Sequence, residues 1–275
     1  MFTKVEVNML ITYLSIFALL YTAAVDAAVG DVDYCSAAYM CSGRVEKHVL
    51  ACNHTGAFAA GCPSNAEMLP ITEEFQQLFL GEHNKYRNEV AKGLVFEPAA
   101  AMATLEWDDE LSYFAEFNVK QCGIIYEDQK CFTTARYNTL DQNIGWLFYT
   151  KSRFNRTKIY DDIKEHIRVY WYEQYHDCTQ AEIDSYHPPQ YKLILHFGKM
   201  VMDRNNRVGC AASLYETDYG FNVLFTCNYA RRLFCYKPIF RSGPYPGSHC
   251  RTGMNPRYPF LCSTKEEFNP NDYKV

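Results

Sequence analysis

The sequence predicts an α+β fold, cross-linked by disulfides and built for export. Helical apolar spacing fills the first half of the main body, and β-forming runs bounded by turn residues fill the second. All twelve cysteines lie downstream of an apolar leader. Helices grouped before strands argue for an α+β architecture with antiparallel pairing, not for an alternating βαβ unit.

The leader opens the chain. Lys4 is the single base of a polar start, the 17-residue apolar run Met9 to Val25 follows, and Ala23-Ala24-Val25-Asp26-Ala27-Ala28 supplies small residues at its exit. That order describes a signal peptide over residues 1–27, cleaved after Ala27. The competing reading is an uncleaved anchor, and the run stands at the short limit of a bilayer span. No later stretch is apolar enough to span, so no membrane segment is expected after cleavage.

Residues 28–70 read as a cysteine-rich N-terminal arm. Cys35, Cys41, Cys52 and Cys62 fall among Gly43, Gly56, Gly61 and Pro63, with little periodic sequence between them. Such a stretch has too few apolar side chains to hold itself and needs cross-links to the main body. An even cysteine count after a leader implies a bonded framework. Zinc would want Cys-x-x-Cys knuckles, which the chain lacks.

The main body spans residues 71–235. Thr72-Glu73-Glu74 supplies a capping hydroxyl and two carboxylates for the positive end of a helix. Phe75, Leu78, Phe79, Tyr86 and Val90 recur at helical spacing, and Gly93 ends the run. A second helix is expected from Asp108 to about Gln121, with Leu111, Phe114, Ala115 and Val119 inward. A third runs from about Asp161 to Tyr175, with Ile163, Ile167, Tyr170 and Trp171 on one side. Strands are expected over Leu193 to Met202, Gly209 to Tyr215 and Phe221 to Tyr229, the last two joined by a hairpin at Glu216 to Gly220. Residues 236–275 form a Pro/Gly-rich extension containing Cys250 and Cys262.

The net charge is −5, or −4 once Lys4, Glu6 and Asp26 leave with the leader. With no basic stripe along the chain, nucleic acid is not an expected partner. An aromatic content of 16% argues for a packed core and against disorder. Asn53-His54-Thr55 and Asn155-Arg156-Thr157 are sequons in polar, loop-like sequence, which makes Asn53 and Asn155 candidate glycosylation sites.

A series of short motifs runs through the main body in a fixed order. It begins with Glu82-His83-Asn84-Lys85-Tyr86-Arg87, Leu105-Glu106-Trp107-Asp108-Asp109-Glu110-Leu111 and Asn118-Val119-Lys120-Gln121-Cys122. Gln142-Asn143-Ile144-Gly145, Trp171-Tyr172, His196-Phe197, Val208-Gly209-Cys210 and Cys227-Asn228-Tyr229 complete it. In these residues the chain resembles the CAP superfamily (cysteine-rich secretory, antigen 5 and pathogenesis-related proteins), and within it the insect venom-allergen antigen 5 branch. The tail from Cys250-Arg251-Thr252-Gly253 to Leu261-Cys262 resembles the C-terminal extension of fly members.

The resemblance implies a three-layer α-β-α sandwich with a central antiparallel sheet, a disulfide-rich N-terminal arm and a short C-terminal extension. It also implies the pairings Cys35–Cys52, Cys41–Cys131, Cys62–Cys122 and Cys210–Cys227, with Cys250–Cys262 inside the tail. Cys178 is then left for Cys235.

Many CAP domains hold a divalent cation with two histidines and two glutamates, donors that suit zinc. Carried over one position at a time, the set becomes His196, Tyr126, Gln142 and Gln174, with Glu173 one place early and His176 close by. Amides and a phenol are weak ligands beside carboxylate and imidazole. A one-residue shift along a helix turns a side chain by about 100° away from its former partners. No cation and no cofactor are therefore expected. His196 reads as a structural histidine in a polar cleft, and His83, Asn84 and Arg87 as residues that tie their helix to its neighbours.

Hydrolase elbows, His-Glu-x-x-His and phosphate loops are absent from the sequence. The expected function is that of a secreted, monomeric, non-enzymatic interaction protein, its partner an unknown extracellular protein or a small apolar ligand. A sterol or fatty-acid carrier is the alternative, and a metal-dependent enzyme or toxin ranks below it.

Overall fold

The computed structural model of the chain describes residues 32–36, 39, 49, 51–52, 54–126, 132–187 and 194–272. The leader, Asn53 and the Cys41–Cys131 pair lie outside the described residues. No helix among those described is long and apolar enough to cross a membrane.

The described elements are β1 (Glu67–Met68), α1 (Glu73–Ala91), β2 (Glu106–Trp107), α2 (Asp109–Val119) and β3 (Asp141–Tyr149), then α3 (Ile159–His166), α4 (Gln180–Asp184), α5 (Leu195–Val201), β4 (Arg207–Thr217) and β5 (Gly220–Tyr229). The sheet order is β1-β4-β5-β3 with antiparallel pairing, and β2 adds a short parallel pair to β4. The fold is thus the expected α-β-α arrangement, with α2 on one face and α1, α3 and α5 on the other.

Local chemistry sets the helix ends. The Thr72 hydroxyl accepts from the Phe75 N–H at 3.2 Å and caps α1, while Gly93 leaves the helix at φ +85°. Asp108 caps α2 by accepting from the Leu111 N–H at 3.0 Å. Gly209 is obligatory beneath that cap, because a Cβ there would lie 2.1 Å from the Ser112 backbone nitrogen. Strands β4 and β5 join through the two-residue turn Asp218-Tyr219 inside the expected hairpin.

Alternation along β5 then builds two cores. Val223, Phe225, Cys227 and Tyr229 pack under α1, α3 and α5, whereas Leu224 faces α2 with Ala115 and Val119. On the α2 face Thr226 Oγ1 donates to Asn118 Oδ1 at 2.7 Å, so these two buried polar groups are paired.

Two expected elements differ. Leu195–Val201 is the helix α5, not a strand, and the edge strand is Asp141–Tyr149 instead. The expected third helix follows one helical path, but its pitch widens to a π-turn at Ile167–Tyr172 and tightens to a 3₁₀ turn at Glu173–Asp177. Such changes of pitch re-aim the side chains that follow.

Disulfides bond Cys35 to Cys52, Cys62 to Cys122, Cys210 to Cys227 and Cys250 to Cys262. Cys210 and Cys227 are direct register partners on β4 and β5. Cys178 and Cys235 are not joined, which corrects the expected pairing. Cys178 is buried in the main core and its thiol donates to the Thr179 carbonyl, whereas Cys235 is exposed. The extension docks through backbone bonds, including Cys262 N–H to Met102 O at 2.8 Å and His249 N–H to Ala100 O at 2.8 Å.

Candidate functional site

The cleft is organised from α1. His83 is fully buried, with Nδ1 2.8 Å from the Phe79 carbonyl and Nε2 2.8 Å from the Tyr229 hydroxyl. A carbonyl only accepts, so Nδ1 carries the proton and Nε2 accepts from Tyr229. Asn84 clasps Leu105 through both its amide atoms, donating to the carbonyl at 2.9 Å and accepting from the N–H at 2.8 Å. Arg87 donates to the carbonyls of Ala103, Met200, Met202 and Asn205 at 2.6 to 3.1 Å. His83 therefore ties α1 to β5, Asn84 ties it to the residue before β2, and Arg87 ties it to the end of α5.

Gln174 and His196 form the centre. The Gln174 Oε1 accepts from the N–H groups of His196 at 2.9 Å and Phe197 at 3.2 Å, so it satisfies the open start of α5. That contact fixes the amide orientation. Gln174 Nε2 then donates to His196 Nδ1 at 2.8 Å and to the Tyr170 carbonyl at 2.8 Å. His196 Nδ1 is consequently an occupied acceptor, and the imidazole is neutral with its proton on Nε2.

The other carried-over positions do not converge on it. Gln142 Nε2 donates to Asn228 Oδ1 at 3.0 Å, on the α2 face of the sheet. Tyr126 lies at the rim, half exposed. Glu173 pairs with Arg168, and His176 is exposed beside Tyr175.

Between the two halves lies a side chain that sequence reasoning did not assign. The Lys199 ammonium is 2% exposed, 2.9 Å from Asp141 Oδ1 and 2.8 Å from the Gln142 carbonyl, with the Tyr126 ring 6.0 Å away. Its signal was present: a lysine inside the apolar run Phe197-Gly198-Lys199-Met200-Val201-Met202 must find a carboxylate if that run is buried.

Three imidazoles surround Trp171. The centroids of His83, His166 and His196 lie 6.2, 6.2 and 6.1 Å from the indole. Burial is the main cause that brings each down from 6.5 to about 4, with Arg87 adding to the effect at His83, and Lys199 and then His166 at His196. Unfolded imidazoles take up protons near 6.5, and the folded ones do so only near 4. Stability is therefore fully present above pH 6.5 and is lost as pH falls towards 4, by of order 3 kcal/mol at most for each site and less for the partly exposed pair. Urea midpoints should fall steeply across that window, with Trp171 fluorescence reporting the transition. A flat profile between pH 7 and 4.5 would contradict neutral burial of these rings.

Gln174→Glu is expected to raise the His196 pKa by more than one unit, because a carboxylate oxygen would replace the amide donor at Nδ1. Imidazole proton shifts in an NMR titration read this directly. An unchanged value would mean that Gln174 does not set the state of His196.

The donor set does not suit a divalent cation. It offers one histidine with an occupied nitrogen, two amides, a rim phenol and a resident ammonium. Among the described residues, no group of three or more His, Cys, Asp or Glu side chains is placed to hold a metal.

Residues 80–229 match the family model of CAP, the cysteine-rich secretory protein family. The chain is 33% identical over 260 residues to Venom allergen-1 of Aedes albopictus, across 93% of this chain and 97% of that protein. It is 40% identical over 168 residues to the antigen 5 like allergen Cul n 1 of Culicoides nubeculosus, across 60% of this chain and 73% of that one. In fold it is similar to the crystal structure of NaASP2 with Zn2+, at TM-score 0.55 and 23% identity over 74% of this chain and 100% of that chain. Ordered motifs, the α-β-α layers and these likenesses converge: the chain belongs to the cysteine-rich secretory protein (CAP) family, in its antigen 5-like branch.

Proposed function

We propose that this protein is a secreted, non-enzymatic binding protein of the extracellular space, whose cleft has exchanged a cation site for an internal ammonium. The buried Lys199–Asp141 pair carries the reading. A fixed positive charge beside His196 and Gln142 opposes entry of a divalent cation, and the neutral amides give such an ion little in return. On this reading the cleft supports the scaffold and the outer surface meets the partner. The leader, the disulfides and likeness to proteins named venom allergens favour export. Asn155 is exposed at the start of a 3₁₀ turn and supports glycan attachment there.

The sterol or fatty-acid reading draws less support. Phe75, Phe79, Trp171, Phe197 and Phe225, the aromatics that would line an apolar groove, are fully or almost fully buried in the core.

The test is titration of the purified secreted chain with Zn2+ and Cu2+, together with elemental analysis. No saturable binding and no stoichiometric metal are expected. One bound ion per chain, or proteolysis abolished by His196→Ala, would overturn the proposal.

A further inference from the structure

Away from the cleft, two chain segments, residues 202–204 and 231–241, close around a cavity of about 180 Å3. Arg204 follows α5, Arg231 and Arg232 follow β5, and Lys237 and Arg241 enter with the C-terminal extension. Asp203 is the single carboxylate in this lining. Five cations and one lining acid thus meet in a chain whose net charge is −5, and Arg204 also pairs with Asp272 at 3.5 Å. Four of the five lie within residues 231–241, and Arg204 joins them from beyond the end of α5.

The wall is rigidly built. Asp203 N–H donates to the Ile239 carbonyl at 3.2 Å, Ile239 N–H to the Ile183 carbonyl at 2.8 Å, and the Arg241 N–H to Asp203 Oδ2 at 3.1 Å. Arg231 is fixed by the carbonyls of Pro270 and Asp272 at 3.1 and 2.6 Å. At the mouth, Lys237 and Arg241 are exposed, and neither makes a side-chain salt bridge among the described residues. Met202, Leu233 and Ile239 supply an apolar floor.

We propose that this cavity binds a dianionic phosphate group, either free or as the head of an organic monoester. Gathered cations repel one another, and a dianion turns that repulsion into attraction. Guanidinium forks match the paired oxygens of a tetrahedral oxyanion. The apolar floor gives the organic part of a monoester a surface to cover.

Calorimetric titration of the full secreted chain at low ionic strength, with inorganic phosphate and with phenyl phosphate, tests this. Saturable one-site binding is expected. Phenyl phosphate tighter by about tenfold or more identifies a monoester head, because the ring covers the floor, and equal affinities identify free phosphate. Lys237→Gln/Arg241→Gln should weaken binding at least about tenfold. Lys151→Gln/Lys164→Gln, with the same charge change elsewhere, should leave it unaltered. No saturable binding by the wild-type chain, equal binding by the Lys237/Arg241 variant, or equal loss in both variants would overturn the site.

Discussion

Arg87→Met is expected to lower the unfolding free energy by about 3–5 kcal/mol, among the largest losses from any single substitution in this protein. The guanidinium is fully buried and faces four carbonyls, with no carboxylate in hydrogen-bond contact. Burial brings its pKa down from 12.5 to about 9, so it stays charged at neutral pH. Met would fill the space of the stem but strip the guanidinium donors from four buried acceptors, of which, among the described residues, only Met202 keeps another backbone partner, the Asn205 N–H at 3.3 Å. Two of them, Met200 and Met202, belong to the end of α5, where carbonyls run out of intrahelical donors. Arg87→Lys should recover only part of the loss, since one ammonium cannot span the planar fan of bonds. Chemical denaturation with the disulfides intact measures both variants. A loss under about 1 kcal/mol for Arg87→Met would refute the staple.

Lys199→Met is expected to cost about 3–5 kcal/mol at pH 7, because it strands the Asp141 carboxylate in the protein. That carboxylate keeps the Gln142 and Leu233 N–H groups, at 2.9 and 3.0 Å, but loses its counter-charge. The defect should shrink as pH falls, because a proton removes the stranded charge. Asp141→Asn/Lys199→Met should recover most of the loss, as replacing both members of a buried pair is far milder than removing one. Equal losses in the single and double variants would show that the lysine acts through its stem and not its charge.

Helix ends were legible where the capping residue is local. Thr72 with Gly93, and Asp108 before Leu111, mark α1 and α2 in the sequence and in space. The β4–β5 hairpin was equally plain, because its turn lies between two β-rich runs. The helix α5 was not legible. Its seven residues are too few to hold a helix alone, and its ends are satisfied by Gln174 and Arg87 from other elements. A short apolar run carries no period that separates strand from helix. Strand β3 was missed for a related reason: its first half is buried on both faces, and alternation begins only at Trp146.

The candidate site divides in the same way. The sequence by itself determined the family and the order of layers, since both rest on residue identity and spacing along the chain. Only the tertiary structure decided that Gln174 locks His196, that Lys199 occupies the cleft with Asp141, that Cys178 and Cys235 stay apart, and that Arg204 joins the cations of residues 231–241 in one cavity. Each of these depends on which side chains meet across the sheet and between distant segments. Those meetings are fixed by long-range packing, and no local pattern records them.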